Sequence, residues 1–234
     1  MREELLVEVT RERSMITARE LRAKAYELSA GVCRPEEADR LIADLERSGE
    51  LLRLEDGTYT TRRLREIEKA TIATAQSRAA EHVAAVSQEA VRQAREEKGR
   101  ELKGGLSQEQ REALETITGP GGVAVLVGQA GTGKGVVLAT ATDAWQKAGY
   151  EVIGTAIPGA TAMRLQADTN TDQALTADSL IAKAKRGSLR LDANTIVVVD
   201  EAGMFDSERL PKLVEITGEA DAKLVLAGDA AQLS

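Results

Sequence analysis

The sequence predicts an α/β protein in which a small, mainly helical unit and a helical linker precede a domain with a parallel sheet. Apolar residues recur at helical spacing through much of the first 60 residues. Residues 61–103 are rich in Ala, Glu, Arg and Gln and contain no proline. From Leu106 onwards, short aliphatic and β-branched runs alternate with helical stretches, which is typical of parallel strands covered by helices.

Two helices are predicted near the start of the chain. Thr17, with Glu20 three residues later, has the spacing of a capping box, and the helix that it begins would end at Gly31. Pro35 suits the first turn of the second helix, and Gly49 would close it. We expect these helices to pack through the apolar residues that repeat along one face of each.

A β-hairpin is expected next, from Glu50–Leu54 and Thr58–Thr60 around a tight turn at Asp56-Gly57. Two helices followed by a hairpin form the back half of a winged-helix fold, which we assign to residues 1–60. Both a DNA-contacting and a purely structural role fit this unit. Acidic residues lie among the arginines of the second helix and would offset their attraction to DNA phosphates.

Residues 61–105 predict a linker of one or two solvent-washed helices. The alternating charges of Arg92–Arg100 favour ion pairs along a helix face over a binding site. His82 has no partner at metal-ligand spacing and is expected at the surface, and Lys103-Gly104-Gly105 is typical of a hinge.

The domain assigned to residues 106–234 carries four predicted strands, at 123–127, 151–156, 195–199 and 223–227. Helices are expected between them, at about 134–148, 159–167, 176–185 and 206–217.

Composition sets limits on function. Of the residues, 42% are hydrophobic and 29% are charged, as in ordinary globular proteins. No apolar run approaches the roughly 20 residues that span a bilayer, and no apolar segment of a secretory signal follows Met1. We therefore expect no membrane partner. The single cysteine, Cys33, cannot form an internal disulfide, which fits a cytoplasmic protein.

The charge of −7 is unevenly distributed. Residues 1–104 hold 20 basic and 21 acidic side chains, whereas residues 105–234 hold 11 and 17. Neither part is a basic nucleic-acid surface, so any DNA contact requires a local patch.

A glycine-rich loop follows the first predicted strand of the sheet and opens a helix. In this setting, backbone N–H groups and the helix N-terminus favour phosphate, and Lys134 reaches the β- and γ-phosphates, so the loop predicts ATP binding. The residues expected to hold the nucleotide are Gln110, Gly128, Gln129, Ala130, Gly131, Thr132, Gly133, Lys134, Gly135 and Val136.

Gly135 departs from the usual pattern, because the residue after the lysine is normally a Ser or Thr that ligates Mg²⁺. Thr132 lies on the loop and is a poor substitute. We therefore expect Mg²⁺ to be held by phosphates, water and Asp200, and nucleotide binding to tolerate the change better than fast turnover does.

Asp200 and Glu201 follow four apolar strand-forming residues, which places both carboxylates at the carboxyl end of a central strand. Asp200 would orient Mg²⁺, and Glu201 would act as general base toward the attacking water. Gln232, after the last strand, is expected to sense the γ-phosphate. Gln110 would present its amide to the adenine edge.

The order of these motifs resembles the first RecA-like domain of RecD-like, superfamily 1B DNA helicases. The matching residues are Leu106-Ser107-Gln108-Glu109-Gln110, the phosphate loop, Asp200-Glu201-Ala202-Gly203-Met204 and Gly228-Asp229 with Gln232-Leu233. Within that family the chain looks most similar to the helicase part of conjugative relaxase-helicases. The resemblance implies roles in catalysis for Lys134, Asp200, Glu201 and Gln232, with Asp200 at the metal.

The resemblance also implies single-stranded DNA as a partner. Thr155, with backbone around Pro158 and Gly159–Leu165, would hold DNA phosphates, and Arg164 would assist. The segment Thr176–Ser179 resembles a second DNA-contacting motif, although Asp178 departs from it. Helix capping and turn chemistry explain both segments equally well.

Two parts of the family's proteins are expected to be missing from this chain: the second RecA-like domain and the relaxase domain. The leading hypothesis is thus the ATP-binding motor domain of a conjugative DNA helicase. The alternative is a remnant that binds nucleotide and DNA without useful turnover.

Overall fold

The computed structural model describes residues 1–10, 14–30, 34–102, 104–129 and 131–229, and it confirms the predicted α/β class. The chain forms two compact units. One comprises Met1–Ile72 with Asp206–Pro211, and the other Ala73–Phe205 with Lys212–Ser234. The assignment of domains to residues 1–60, 61–105 and 106–234 stays a prediction.

The first unit contains the predicted helices and hairpin, preceded by one further helix. Its elements are α1 (Arg2–Val9), α2 (Ala18–Ser29), α3 (Pro35–Ser48), β1 (Leu51–Arg53), β2 (Tyr59–Thr61) and the start of α4 (Arg62–Ala79). Thr17 and Glu20 form the predicted capping box. Gly49 ends α3 in a left-handed conformation, with φ of 69°. Gly31 lies outside the described residues.

The core of this unit is built from helix faces and the hairpin. Buried Leu21 on α2 and Leu45 on α3 pack with Leu51 and Tyr59. Antiparallel β1 and β2 are extended by an isolated bridge, in which Ile16 and Tyr59 exchange backbone hydrogen bonds of 2.9 and 2.7 Å.

The second unit is built around a five-stranded parallel sheet. Its elements after α4 are α5 (Gln88–Glu101), α6 (Gln108–Thr118), β3 (Val123–Val127), α7 (Lys134–Lys147), β4 (Glu151–Ala156), α8 (Gly159–Thr169), β5 (Gln173–Thr176), α9 (Ala177–Lys185), β6 (Thr195–Val199), a 3₁₀ turn (Ala202–Met204), α10 (Arg209–Glu219) and β7 (Lys223–Gly228).

The strand order is β3-β7-β6-β4-β5, with every neighbouring pair parallel. The four predicted strands are present. The strand β5 was not predicted, because its four residues are only half-buried and lack an aliphatic run. It forms an edge by pairing with residues 153–156 of β4.

Helix α5 packs onto the sheet domain, so the prediction of a solvent-washed linker is wrong here. Ala90 and Ala94 are buried, and Val91 and Leu102 pack against the core cluster that contains Trp145. The outer face behaves as predicted, because Arg92 pairs with Glu89 and Glu96.

Two buried cations lie where the strands begin. Lys223 is fully buried, and its Nζ donates to the Gly119 carbonyl at 2.5 Å. Burial lowers the pKa of Lys223 to about 8. Arg78, near the end of α4, donates to Thr217 Oγ1 at 2.8 Å and to the Ala222 carbonyl at 2.5 Å. Burial also lowers the pKa of the Arg78 guanidinium, and the Glu81 carboxylate opposes that effect.

Candidate nucleotide-binding site

The glycine-rich loop has the predicted strand–loop–helix setting, between β3 and α7. Gly131 and Gly133 adopt left-handed backbone conformations, with φ of 82° and 85°, which glycine reaches without steric cost. A Cβ at Gly133 would clash with the Gln110 amide, whereas one at Gly131 would meet no atom within 4 Å. The loop is thus an open cradle of backbone that begins a helix, as phosphate binding requires.

Lys134 is the first residue of α7, and its side chain folds back over the loop. The ammonium donates to the Gly128 carbonyl and, at 3.1 Å, to the Gln129 carbonyl. A phosphate group offers a stronger, charged acceptor than these neutral carbonyls. The lysine is therefore already placed beside the cradle.

Gly135 leaves free space in the first turn of α7. A Cβ at this position would meet no atom within 4 Å. Thr132 does not replace the absent hydroxyl, because its Oγ1 donates to the Gln129 carbonyl at 2.8 Å. The site thus has room for a Ser or Thr side chain that the sequence does not supply.

Asp200 and Glu201 lie at the carboxyl end of β6, as predicted. The Asp200 N–H donates to the Thr155 carbonyl at 2.9 Å, which continues the pairing with β4. The Glu201 N–H donates to Asp200 Oδ1 at 2.9 Å. Glu201 has φ of 53°, a left-handed conformation that is uncommon outside glycine and that occurs often in functional sites.

One cleft of about 410 Å³ brings the loop and the carboxylates together. The loop and α7 contribute Gln129, Gly131, Gly133, Lys134, Gly135 and Leu138. The strand ends contribute Asp200, Glu201, Gly228 and Asp229, and α8 contributes Arg164, Leu165, Asp168 and Thr169. The carboxylate oxygens and the glycine cradle fit a nucleotide with Mg²⁺, which prefers oxygen ligands and retains several waters.

The side chains that could hold a metal here are the carboxylates at the strand ends. No group of three or more His, Cys, Asp or Glu side chains suited to a metal ion occurs among the described residues. The expectation that phosphates, water and Asp200 hold the ion stays a prediction.

Gln110 lies against the loop but its amide is already hydrogen-bonded. Oε1 accepts from the Ser107 N–H at 2.9 Å, within a capping box for α6, and Nε2 donates to the Thr132 carbonyl at 3.2 Å. Adenine recognition by this residue stays a prediction and would require these bonds to be exchanged. The predicted loop residue Ala130 and the predicted sensor Gln232 both lie outside the described residues.

The expected DNA contact through Thr155 is wrong. This residue is completely buried in β4, so its side chain cannot reach DNA. The Thr176–Ser179 segment shows helix capping, since Thr176 Oγ1 accepts from the Ser179 N–H at 3.2 Å. The backbone that begins α8, at Pro158–Ala160, is exposed.

Arg164 and Asp168 line the nucleotide cleft, a placement that the sequence reasoning missed. The sequence suggests a DNA contact for Arg164 and no role for Asp168. The only signal in the sequence was their spacing of four residues, which puts both on one helix face. Which neighbour that face meets depends on how α8 packs.

No described helix is long and apolar enough to cross a membrane.

Comparison with known proteins agrees with this geometry. A family model described as an AAA domain matches residues 105–234. Conjugal transfer protein TraA of Rhizobium radiobacter is 41% identical over 128 residues, 55% of this chain and 12% of that protein. The protein of the same name from Agrobacterium fabrum (strain C58) is 40% identical over 130 residues, 56% of this chain and 12% of that protein.

A probable conjugal transfer protein TraA of Sinorhizobium fredii is 40% identical over 128 residues, 55% of this chain and 12% of that protein. The chain thus spans only a small part of the length of these relatives. The family model, by contrast, covers more than half of the chain itself. The predicted resemblance is therefore confirmed, and the chain belongs to the AAA-domain family of RecD-like helicases.

Proposed function

We propose that this chain is the ATP-binding motor domain of a DNA helicase that acts in conjugative transfer. The observation that carries the proposal is the single cleft in which the Lys134 loop faces Asp200 and Glu201. Similarity to proteins named conjugal transfer proteins supports a role in conjugative transfer, and membership of the RecD-like family supports helicase activity. Single-stranded DNA is the proposed partner, and the cytoplasm the proposed location.

The cleft residues divide the chemistry of ATP hydrolysis among them. Lys134 and the loop N–H groups bind the β- and γ-phosphates and offset the charge that develops on them. Glu201 accepts a proton from the water that attacks the γ-phosphorus, while the bond between that phosphorus and the ADP oxygen breaks. Asp200 would hold Mg²⁺, which supplies further charge compensation when bound. Gln232 is proposed to sense the γ-phosphate.

DNA contact is best assigned to the exposed start of α8, since Thr155 is buried. The backbone N–H groups of Gly159 and Ala160 lie at the N-terminus of α8, where phosphate binding is favourable. The proposed motor also requires a second RecA-like domain, and the relatives' further length is where we propose that it and a relaxase domain reside.

A remnant that binds nucleotide and DNA without useful turnover is the second candidate. Gly135 favours it, because the hydroxyl that normally ligates Mg²⁺ is absent. Hydrolysis of ATP by the wild-type chain above the rate of a Lys134→Ala control, in the presence of single-stranded DNA, would argue against this candidate.

The test of the proposal is a calorimetric titration of a non-hydrolysable ATP analogue, with and without Mg²⁺. We expect Mg²⁺ to strengthen binding to the wild-type chain. Lys134→Ala should weaken binding by about 100-fold, because at least two charge-assisted hydrogen bonds are lost. The variant should melt at the wild-type temperature, since the ammonium contacts only loop carbonyls. Equal binding by both proteins would refute the proposed site.

A further inference from the structure

The face of α8 that borders the cleft carries a cation. Arg164, Leu165, Asp168 and Thr169 line the cleft, and their spacing of one, four and five residues puts them on one side of the helix. Leu165 and Thr169 are buried and attach this face to the domain, whereas Arg164 is exposed. The position of Arg164 therefore follows from the packing of α8.

The backbone at Arg164 is held relative to the phosphate loop. Gln146 on α7, the helix that begins with Lys134, donates through Nε2 to the Asn170 carbonyl at 2.9 Å. Asn170 caps the C-terminus of α8, and Thr169 Oγ1 donates to the Leu165 carbonyl at 2.6 Å. The Arg164 side chain itself makes no hydrogen bond or ion pair within the described ranges, not even with Asp168.

The charge of the cleft favours nucleotide binding by the Arg164 guanidinium. Among the described lining residues, four carboxylates (Asp168, Asp200, Glu201 and Asp229) face two cations, Lys134 and Arg164. Nucleoside triphosphate with Mg²⁺ adds about two further negative charges. Because Lys134 alone cannot balance this excess, a second cation beside the phosphates would stabilise the bound nucleotide.

The lining residues show which of the proposed catalytic groups share the cleft with Arg164. Gln110 contacts the loop at Thr132 and does not line this cleft. Arg164 shares the cleft with Gly135 and the Asp200-Glu201 pair, the groups assigned to the metal and the attacking water. The γ-phosphate is expected beside these groups, because hydrolysis takes place there.

We propose that Arg164 binds the γ-phosphate from within the same domain and so makes the site prefer ATP to ADP. This inference rests on the proposed nucleotide-binding function. It assigns to the nucleotide a side chain that the sequence had suggested for DNA.

The experiment compares two nucleotides without DNA. Binding of a non-hydrolysable ATP analogue and of ADP, each with Mg²⁺, is measured by calorimetry for wild type, Arg164→Ala, Arg164→Lys and Arg100→Ala. Arg100 is an exposed arginine on α5 outside the cleft and controls for loss of one positive charge. A far-UV circular dichroism melt checks that each variant is folded.

Arg164→Ala should weaken the ATP analogue about 10-fold, as expected for a charge-assisted bond to phosphate, and weaken ADP by less than about twofold. Arg164→Lys should retain part of the preference, and Arg100→Ala should match wild type. Equal loss for both nucleotides, or no loss, overturns the role of Arg164 while the binding site stands. Failure of wild type to bind either nucleotide overturns the proposed function and this inference together.

Discussion

The two ends of the parallel sheet both hold a lysine against backbone carbonyls, but in opposite settings. At the carboxyl end, Lys134 is partly exposed and donates hydrogen bonds to carbonyls of the phosphate loop. We propose that it exchanges these bonds for bonds to phosphate when nucleotide binds. At the amino end, Lys223 is fully buried and bonds to Gly119 alone among the described residues. The same chemical group serves ligand binding where water and ligand can reach it, and costs stability where they cannot.

We expect residues at the amino end of the sheet to affect the stability of the protein and residues at the carboxyl end to affect nucleotide binding. Substitutions at the amino end should change the free energy of unfolding and leave nucleotide affinity alone. Trp145 is the only tryptophan and is fully buried in the second unit, so its fluorescence reports the unfolding of that unit.

The largest effect is expected from Arg78→Ala. Its guanidinium bonds to Thr217 and to backbone carbonyls at the end of α10 and the start of β7. Removing it leaves buried acceptors without a donor, which should lower the free energy of unfolding by about 3 kcal/mol. Urea denaturation followed by Trp145 fluorescence measures the change.

The matched control is Arg92→Ala, an exposed arginine with surface ion pairs, which should leave the midpoint unchanged. A similar midpoint for both variants would contradict the proposed contribution of the Arg78 hydrogen bonds to the stability of the second unit.

Lys223→Met is expected to stabilise the protein at pH 7 by roughly 2 kcal/mol. Removing the buried charge gains about 3 kcal/mol, from a usual pKa of 10.5 against about 8 in the folded state, and losing the hydrogen bond to Gly119 costs about 1 kcal/mol. The lowered pKa also fixes the sign of the pH dependence. Between pH 8 and 10.5 the unfolded chain holds a proton that the folded chain has released, so wild-type stability should rise with pH.

Denaturation of wild type and Lys223→Met at pH 7, 9 and 10.5 separates this effect from other titrations, which both proteins share. The gap in stability should close as the pH rises. A constant gap would mean that Lys223 titrates alike in both states.

The smallest effect belongs to the carboxyl end, at Gly135. Gly135→Ser places a hydroxyl in free space, and Mg²⁺ should then strengthen binding of the ATP analogue several-fold more than in wild type. Gly135→Ala is the control, because it also replaces a glycine in the helix, with a gain of about 1 kcal/mol in helix propensity, and it adds no oxygen. Identical Mg²⁺ dependence in the two variants would rule out a metal ligand at this position.

Local sequence predicted the elements that depend on neighbours along the chain. The Thr17 capping box, the Gly49 helix end and the loop before Lys134 each need only a few adjacent residues, and all are present. Asp200 was placed correctly because four apolar residues specify the buried strand before it.

The misses share one cause, which is dependence on distant packing. The burial of Thr155 cannot be predicted from the residues of β4 alone, because it results from the strand being covered on both faces. Burial of Lys223 and Arg78 depends on partners 104 and 139 residues away. The placement of Arg164 in the cleft likewise depends on how α8 packs against the rest of its domain.

The packing of α5 shows that the folded domain extends beyond the segment that matches the family model. Family similarity begins at residue 105, yet Ala84, Val91 and Leu102 pack in the same core as Trp145. A gene fragment cut where the similarity starts would encode every residue of the phosphate loop and strip the covering from α7. For this protein, the segment that is similar to the family begins about 20 residues after the segment that contributes to the hydrophobic core.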